Sequence, residues 1–103
     1  MITVTDTNFD EIVTKATIPT LIDFNADWCG PCQAQKPALD ALEDSADGKY
    51  QIVSINIDES PNLAEKYEVS SIPCLVLLKD GKEVERKVGL QPKNVLESML
   101  GDA

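Results

Sequence analysis

The sequence contains no histidine. That absence removes Ser-His and Cys-His nucleophilic pairs, zinc fingers of the two-Cys, two-His kind, and every His-ligated metal site. Basic residues are scarce, with 9 Lys plus Arg against 18 Asp plus Glu and a formal charge of −9. Without clustered Lys and Arg to neutralise phosphates, nucleic-acid binding is not expected. Cysteines number three, an odd count that argues against the disulfide framework of a small secreted domain. No run approaches the roughly 18 apolar residues of a membrane span, and Met1–Asp6 has neither the basic nor the apolar part of a secretion signal. The expected setting is a cytoplasmic, reducing compartment, with no membrane partner. Chemistry then falls to cysteine, carboxylate, lysine or backbone.

What is present is a chain of 103 residues, 43% of them hydrophobic. That suits one domain over residues 1–103, large enough for a core and too apolar for disorder. Two periodicities alternate along it. Ile2–Val4 alternates and predicts a strand. Thr7 with Asp10 resembles a helix start, and Phe9, Ile12, Val13 and Ala16 follow on one helical face. Thr20–Asn25 is almost continuously apolar, interrupted by Asp23, which suggests a strand covered on both faces. Gln33 to about Asp47 reads as a helix, kinked by Pro37 near Gln33 and followed by Gly48. Gln51–Ile57 predicts a buried strand. Ser60-Pro61 reads as a cap and first-turn proline opening a short helix through Tyr67. Leu75–Leu78 and Lys82–Val88 predict two strands joined by the hairpin turn Asp80-Gly81. Pro92 opens a last helix bearing Val95, Leu96, Met99 and Leu100. The order β-α-β-α-β-α-β-β-α implies an α/β fold, a mixed sheet with helices on both faces.

Cys29-Gly30-Pro31-Cys32 sits where a strand meets a helix. A metal site built on such a pair needs further ligands, and here only Cys74 remains. Four cysteines cannot be assembled within one chain, so a metal would need carboxylates or a dimer; no metal ligands are assigned. The redox reading suits the physics. Cys29 would stand just before the helix N-terminus, where free N–H groups and the macrodipole favour a thiolate. Pro31 suits a first helical position. Two intervening residues turn the chain so that Cys32 can reach the Cys29 sulfur. The remaining alternative is a pair of structural thiols packed as small apolar groups.

Trp28-Cys29-Gly30-Pro31-Cys32, Ile72-Pro73 and the Asp80-Gly81 hairpin together resemble the thioredoxin family, over essentially the whole chain. The resemblance implies a central mixed sheet flanked by four α-helices. It also implies a protein-disulfide reductase with Cys29 as nucleophile and Cys32 as resolving thiol. No bound cofactor is implied. Reducing equivalents would come from NADPH through a thioredoxin reductase, and the other partners would be disulfide-containing client proteins. Asp23, whose carboxyl would titrate high if buried, matches the family's buried aspartate that moves a proton to or from the resolving thiol. Ile72-Pro73 matches a cis bond beside the cysteines, with the Ile72 backbone pairing an extended client. Gly89 matches a glycine that keeps the same groove open. Trp28, Gly30 and Pro31 would contact the client beside Cys29. A monomer is expected.

Several positions depart from the family. Cys74 stands where threonine is common after the cis-proline. Strand alternation places it with Val76 and Leu78, as a buried structural thiol or, alternatively, a third redox-active one. Asn25 replaces the usual tryptophan, Gln33 a frequent lysine or arginine, and Ser54 a lysine that often faces the aspartate. With Asp27 beside Trp28, the local field should be more negative than in many relatives. Other folds of activity remain open on the residues alone: a binding module that does not use its thiols, and an oxidase or isomerase of an oxidising compartment.

Overall fold

The structure, a computed structural model, describes residues 1–101. Its strands are β1 (Ile2–Thr3), β2 (Thr20–Asn25), β3 (Gln51–Asn56), β4 (Cys74–Lys79) and β5 (Lys82–Val88). Its α-helices are α1 (Gly30–Asp44), α2 (Pro61–Lys66) and α3 (Lys93–Gly101). A π-helical turn, Asp10–Thr14, supplies the fourth helical element. The strands form one mixed sheet in the order β1-β3-β2-β4-β5, with β2 parallel to β3 and antiparallel to β4.

Every residue of β2 is buried, polar Thr20, Asp23 and Asn25 included, as expected of a central strand covered on both faces. Period-2 alternation sends its side chains to two cores. Ile22 and Phe24 pack with Val53, Val76 and Leu78 under the π-helical turn and Leu63 of α2. Leu21 packs with Ile52, Leu75 and Leu77 under Leu39 of α1 and Leu96 of α3. The hairpin turn adopts positive φ at both Asp80 (53°) and Gly81 (79°), the geometry that two-residue hairpins favour.

Three local expectations are corrected. Thr7 does not cap a helix. Asn8 Oδ1 instead accepts the Thr5 N–H at 2.7 Å, and the helical segment is a single widened turn closed by Lys15 N–H to the Asp10 carbonyl. Its β-branched run Ile12-Val13-Thr14 is a weak helix former. The helix predicted over Gln33–Asp47 begins and ends three residues earlier, at Gly30 and Asp44. Its start moves because the cysteine itself serves as the cap. Its end moves because Asp47 and Gly48 turn left-handed. Ser60 precedes α2 but its hydroxyl makes no capping bond; Asp6 Oδ1, from the other end of the chain, accepts the Leu63 N–H at 3.2 Å.

Strand register decides where function can sit. Phe24 pairs with Cys74, and Cys74 with Val88. The end of β2, the start of β4 and the end of β5 are therefore neighbours. The segments that continue from them carry Cys29, Pro73 and Gly89 to one end of the sheet.

Candidate redox site

Cys29 is the N-cap of α1, with extended backbone at φ −93° and ψ 110°. Its Sγ accepts the Cys32 N–H at 3.2 Å. The sulfur thus takes one of the helix's orphan donors and sits at the positive end of the helix dipole. Such a position favours the thiolate over the thiol. Pro31 occupies the first turn, where its missing N–H leaves no donor unpaired. Cys29 and Cys32 are joined by a disulfide, with Cα atoms 5.2 Å apart. Cys29 is 5% exposed and Cys32 not at all, so an incoming sulfur meets Cys29 first. No atom lies within 4 Å of where a Cβ on Gly30 would stand, leaving that flank of the pair open.

The segment before β4 closes the opposite flank. The Ile72-Pro73 bond is cis, and the Ile72 carbonyl oxygen lies 3.9 Å from Cys29 Sγ. Ile72 also packs against Ala26, Cys29 and Cys32. Gly89 donates its N–H to the Pro73 carbonyl at 2.8 Å, tying the end of β5 to the same segment. Its φ of +91° requires glycine, and the space where a Cβ would stand is empty. Trp28 is 70% exposed, not a core residue, and its Nε1 donates to Asp58 Oδ2 at 2.8 Å. Leu90 and Val88, on either side of Gly89, are also exposed.

Asp23 lies on β2 beneath α1. It shares a sheet face with Leu21, and Lys36, one turn beyond Cys32, is close enough for its charge to act on the carboxylate. It is fully buried. Oδ2 accepts from Asn25 Nδ2 at 3.3 Å, while Oδ1 has no partner. Burial raises its pKa from 3.8 to about 6, with the Asn25 bond and the Lys36 charge pulling the other way. No ammonium forms a salt bridge with it among the described residues. Ser54 stands directly opposite in the β2–β3 register, where the resemblance led one to look for lysine.

Cys74 is buried on the other face of the sheet, packed with Phe24, Val76 and Leu78. Burial pushes its thiol pKa up, so it carries little thiolate and little reactivity. Iodoacetamide added to the native oxidised protein is expected to leave all three cysteines unlabelled by mass spectrometry, with Cys74 labelled only after denaturation. Labelling of Cys74 without denaturant would show that its pocket opens.

Two features of the site escaped sequence reasoning. Asp58 anchors Trp28 from thirty residues away and has no local signature. Gln35 is fully buried in α1 and grips the segment after Gly89, donating from Nε2 to the Gln91 carbonyl at 3.0 Å and accepting the Gln91 N–H on Oε1 at 2.8 Å. It did leave a signal. Cys32, Gln35, Leu39 and Leu42 follow one another along the buried stripe of α1, so a polar residue occupies an apolar position.

Comparison with known proteins bears on the same residues. A family profile described as Thioredoxin matches residues 1–102. A protein named thioredoxin from Staphylococcus haemolyticus is 45% identical over 100 residues, covering 97% of this chain and 94% of its own. Thioredoxins of Rickettsia felis (42% identical; 90% of this chain, 89% of that one) and Porphyra purpurea (40%; 94% and 91%) are similar at nearly the same extent. The alignments run almost from end to end on both sides, through the cysteine pair and the sheet that holds it, and the chain belongs to the thioredoxin family.

Proposed function

We propose that Cys29 attacks client disulfides, that Cys32 resolves the intermediate, and that Asp23 handles the proton of the resolving step. Family membership and the bonded cysteine pair make the chain a thiol–disulfide oxidoreductase. In the reduced protein the Cys29 thiolate attacks one sulfur of a client disulfide. A mixed disulfide forms and the first client thiolate leaves. Cys32 then gives its proton to the unpartnered Oδ1 of Asp23 and attacks Cys29 Sγ. The second client thiolate departs, and Cys29–Cys32 is again a disulfide. Two electrons have passed from the protein dithiol to the client. The observation that carries these roles is the asymmetry of the pair: Cys29 Sγ receives the helix N–H and remains reachable, whereas Cys32 is sealed beneath it.

The client would lie across Trp28, Gly30 and Pro31 on one side and Ile72, Pro73 and Gly89 on the other. Ile72 takes no part in the sheet ladders, which supports pairing of its backbone with an extended peptide. Reducing equivalents come from NADPH through a thioredoxin reductase, and the protein acts as a monomeric single domain in the cytoplasm. The reducing role and the −9 charge support that setting.

Cys32→Ser tests the assignment. Mixed with a disulfide-containing protein such as insulin, this variant is expected to accumulate a mixed disulfide at Cys29, visible as a non-reducing gel shift and mapped by mass spectrometry. If the adduct instead accumulates on Cys32 of the Cys29→Ser variant, the roles are reversed.

A further inference from the structure

Asn25 occupies an unusual place in the sheet. Alternation along β2 puts it on the same face as Asp23, and it is almost fully buried. Its Nδ2 is 2.7 Å from Ser54 Oγ, 3.0 Å from the Asp23 carbonyl oxygen and 3.3 Å from Asp23 Oδ2. An amide nitrogen carries two N–H donors, so three acceptors compete for two hydrogens. Ser54 holds the short bond. The two Asp23 oxygens share what is left, and the carboxylate receives the longest contact. Its other oxygen, Oδ1, is buried without a partner.

We propose that Asn25 is a positioning residue for the proton-transfer step, holding Asp23 by Oδ2 so that Oδ1 is the atom that receives the proton, and that Ser54 limits this hold by competing for the same amide. The proposal rests on the reading of Asp23 as the base for Cys32. In place of a paired ammonium that would hold the carboxylate ionised by charge, this chain has a neutral amide divided among three acceptors. A hydrogen bond to the ionised form lowers a carboxyl pKa, and desolvation raises it. The strength of the Asn25 contact therefore decides how far burial prevails. The other groups acting on Asp23 are few. From α1 comes the Lys36 charge, which favours ionisation. From β4 come Leu75, its register partner, and Cys74, on the opposite face, whose own pKa burial raises and the Asp23 charge raises further. From β3 comes Ser54, which bears no charge.

Two single substitutions should act with opposite sign. Ser54→Ala releases one amide hydrogen to Asp23, and its pKa should fall. Asn25→Ala removes the donor, and it should rise. Each shift is expected to reach roughly half to one pH unit, the size at which a single buried hydrogen bond acts on a carboxylate. The experiment follows the Asp23 carboxyl carbon by NMR across pH 4–9 in each reduced variant, as the full chain. In parallel, single-turnover kinetics follow client release from a preformed Cys29 mixed disulfide over the same pH range. Opposite carboxyl shifts, with the pH midpoint of release moving alongside, support the proposal. Shifts of the same sign, or none, overturn it. Opposite carboxyl shifts with an unmoved release profile leave the hydrogen-bond competition standing and overturn instead the role of Asp23 as base. If Asn25→Ala does not fold, Ser54→Ala decides together with the Ser54→Ala/Asn25→Asp double variant. A fall in the Asp23 pKa in the single variant that is lost when the amide is also removed supports the proposal, and a fall that persists without the amide overturns it.

Discussion

Cys29→Ser is expected to reduce the rate of insulin-disulfide reduction to that of dithiothreitol alone, a loss on the order of 10³-fold or more, or about 4 kcal/mol of barrier. The loss should be chemical, not structural. Cys29 is the N-cap of α1 and accepts the Cys32 N–H. Serine is among the preferred N-cap residues and makes the same contact through its hydroxyl oxygen. The helix therefore keeps its cap, and circular dichroism should match that of the reduced parent protein. What disappears is the sulfur an incoming disulfide meets first, since Cys29 is the most exposed of the three cysteines. A serine hydroxyl at neutral pH is neither ionised nor a nucleophile toward sulfur. Activity above about a tenth of the parent's would mean that Cys32 can come to the surface and attack, contrary to the roles assigned above.

The parts of the molecule that were legible in sequence are those whose causes are local. β2 declares itself through Leu21, Ile22 and Phe24 around a single carboxylate, and the β4–β5 hairpin through Asp80-Gly81. The cysteine pair is readable for the same reason: proline, glycine and two thiols within four residues build a helix cap. What stayed hidden depends on partners far apart along the chain. Asp6 caps α2 in place of Ser60 across 57 residues, Gln35 holds Gln91 across 56, and Trp28 reaches Asp58 across 30. No periodicity reports such pairs, because the periods of helix and strand describe neighbours within a few residues. The π-helical turn failed for a different reason. Phe9 and Val13 do occupy the buried face that a helix pattern predicts, but one turn is enough to bury them, so the same spacing fits a short element as well as a long one.

Asp23 joins the two subjects, since the carboxylate that serves the reaction also weakens the fold. Asp23→Asn is expected to stabilise the oxidised protein at pH 7 while slowing client release. The sign follows from where the proton goes. Burial raises the Asp23 pKa from 3.8 to about 6. Between those two values the folded state keeps a proton that the unfolded chain has released, so stability falls as pH rises through this window. The contribution is fully present below about pH 4 and gone above about pH 6. The difference of roughly 2 pH units corresponds to about 3 kcal/mol. Asparagine does not titrate and escapes this penalty. Its amide nitrogen, if it takes the place of the unpartnered Oδ1, would be a buried donor costing about 1 kcal/mol. A net gain of about 2 kcal/mol at pH 7 raises Tm by roughly 10–15 °C in a chain of this size. At pH 4 the gain should vanish or reverse. Other carboxylates act in the opposite sense, among them Glu83, whose pKa is held down by Arg86. They are common to both proteins and cancel in the difference. Kinetically, removal of the base should slow the resolving step by about 10²-fold and abolish its pH dependence near 6. Thermal unfolding of both proteins at pH 4 and pH 7 decides the first part. A Tm difference that does not change with pH would show that Asp23 is not the buried, high-titrating carboxylate on which both effects depend.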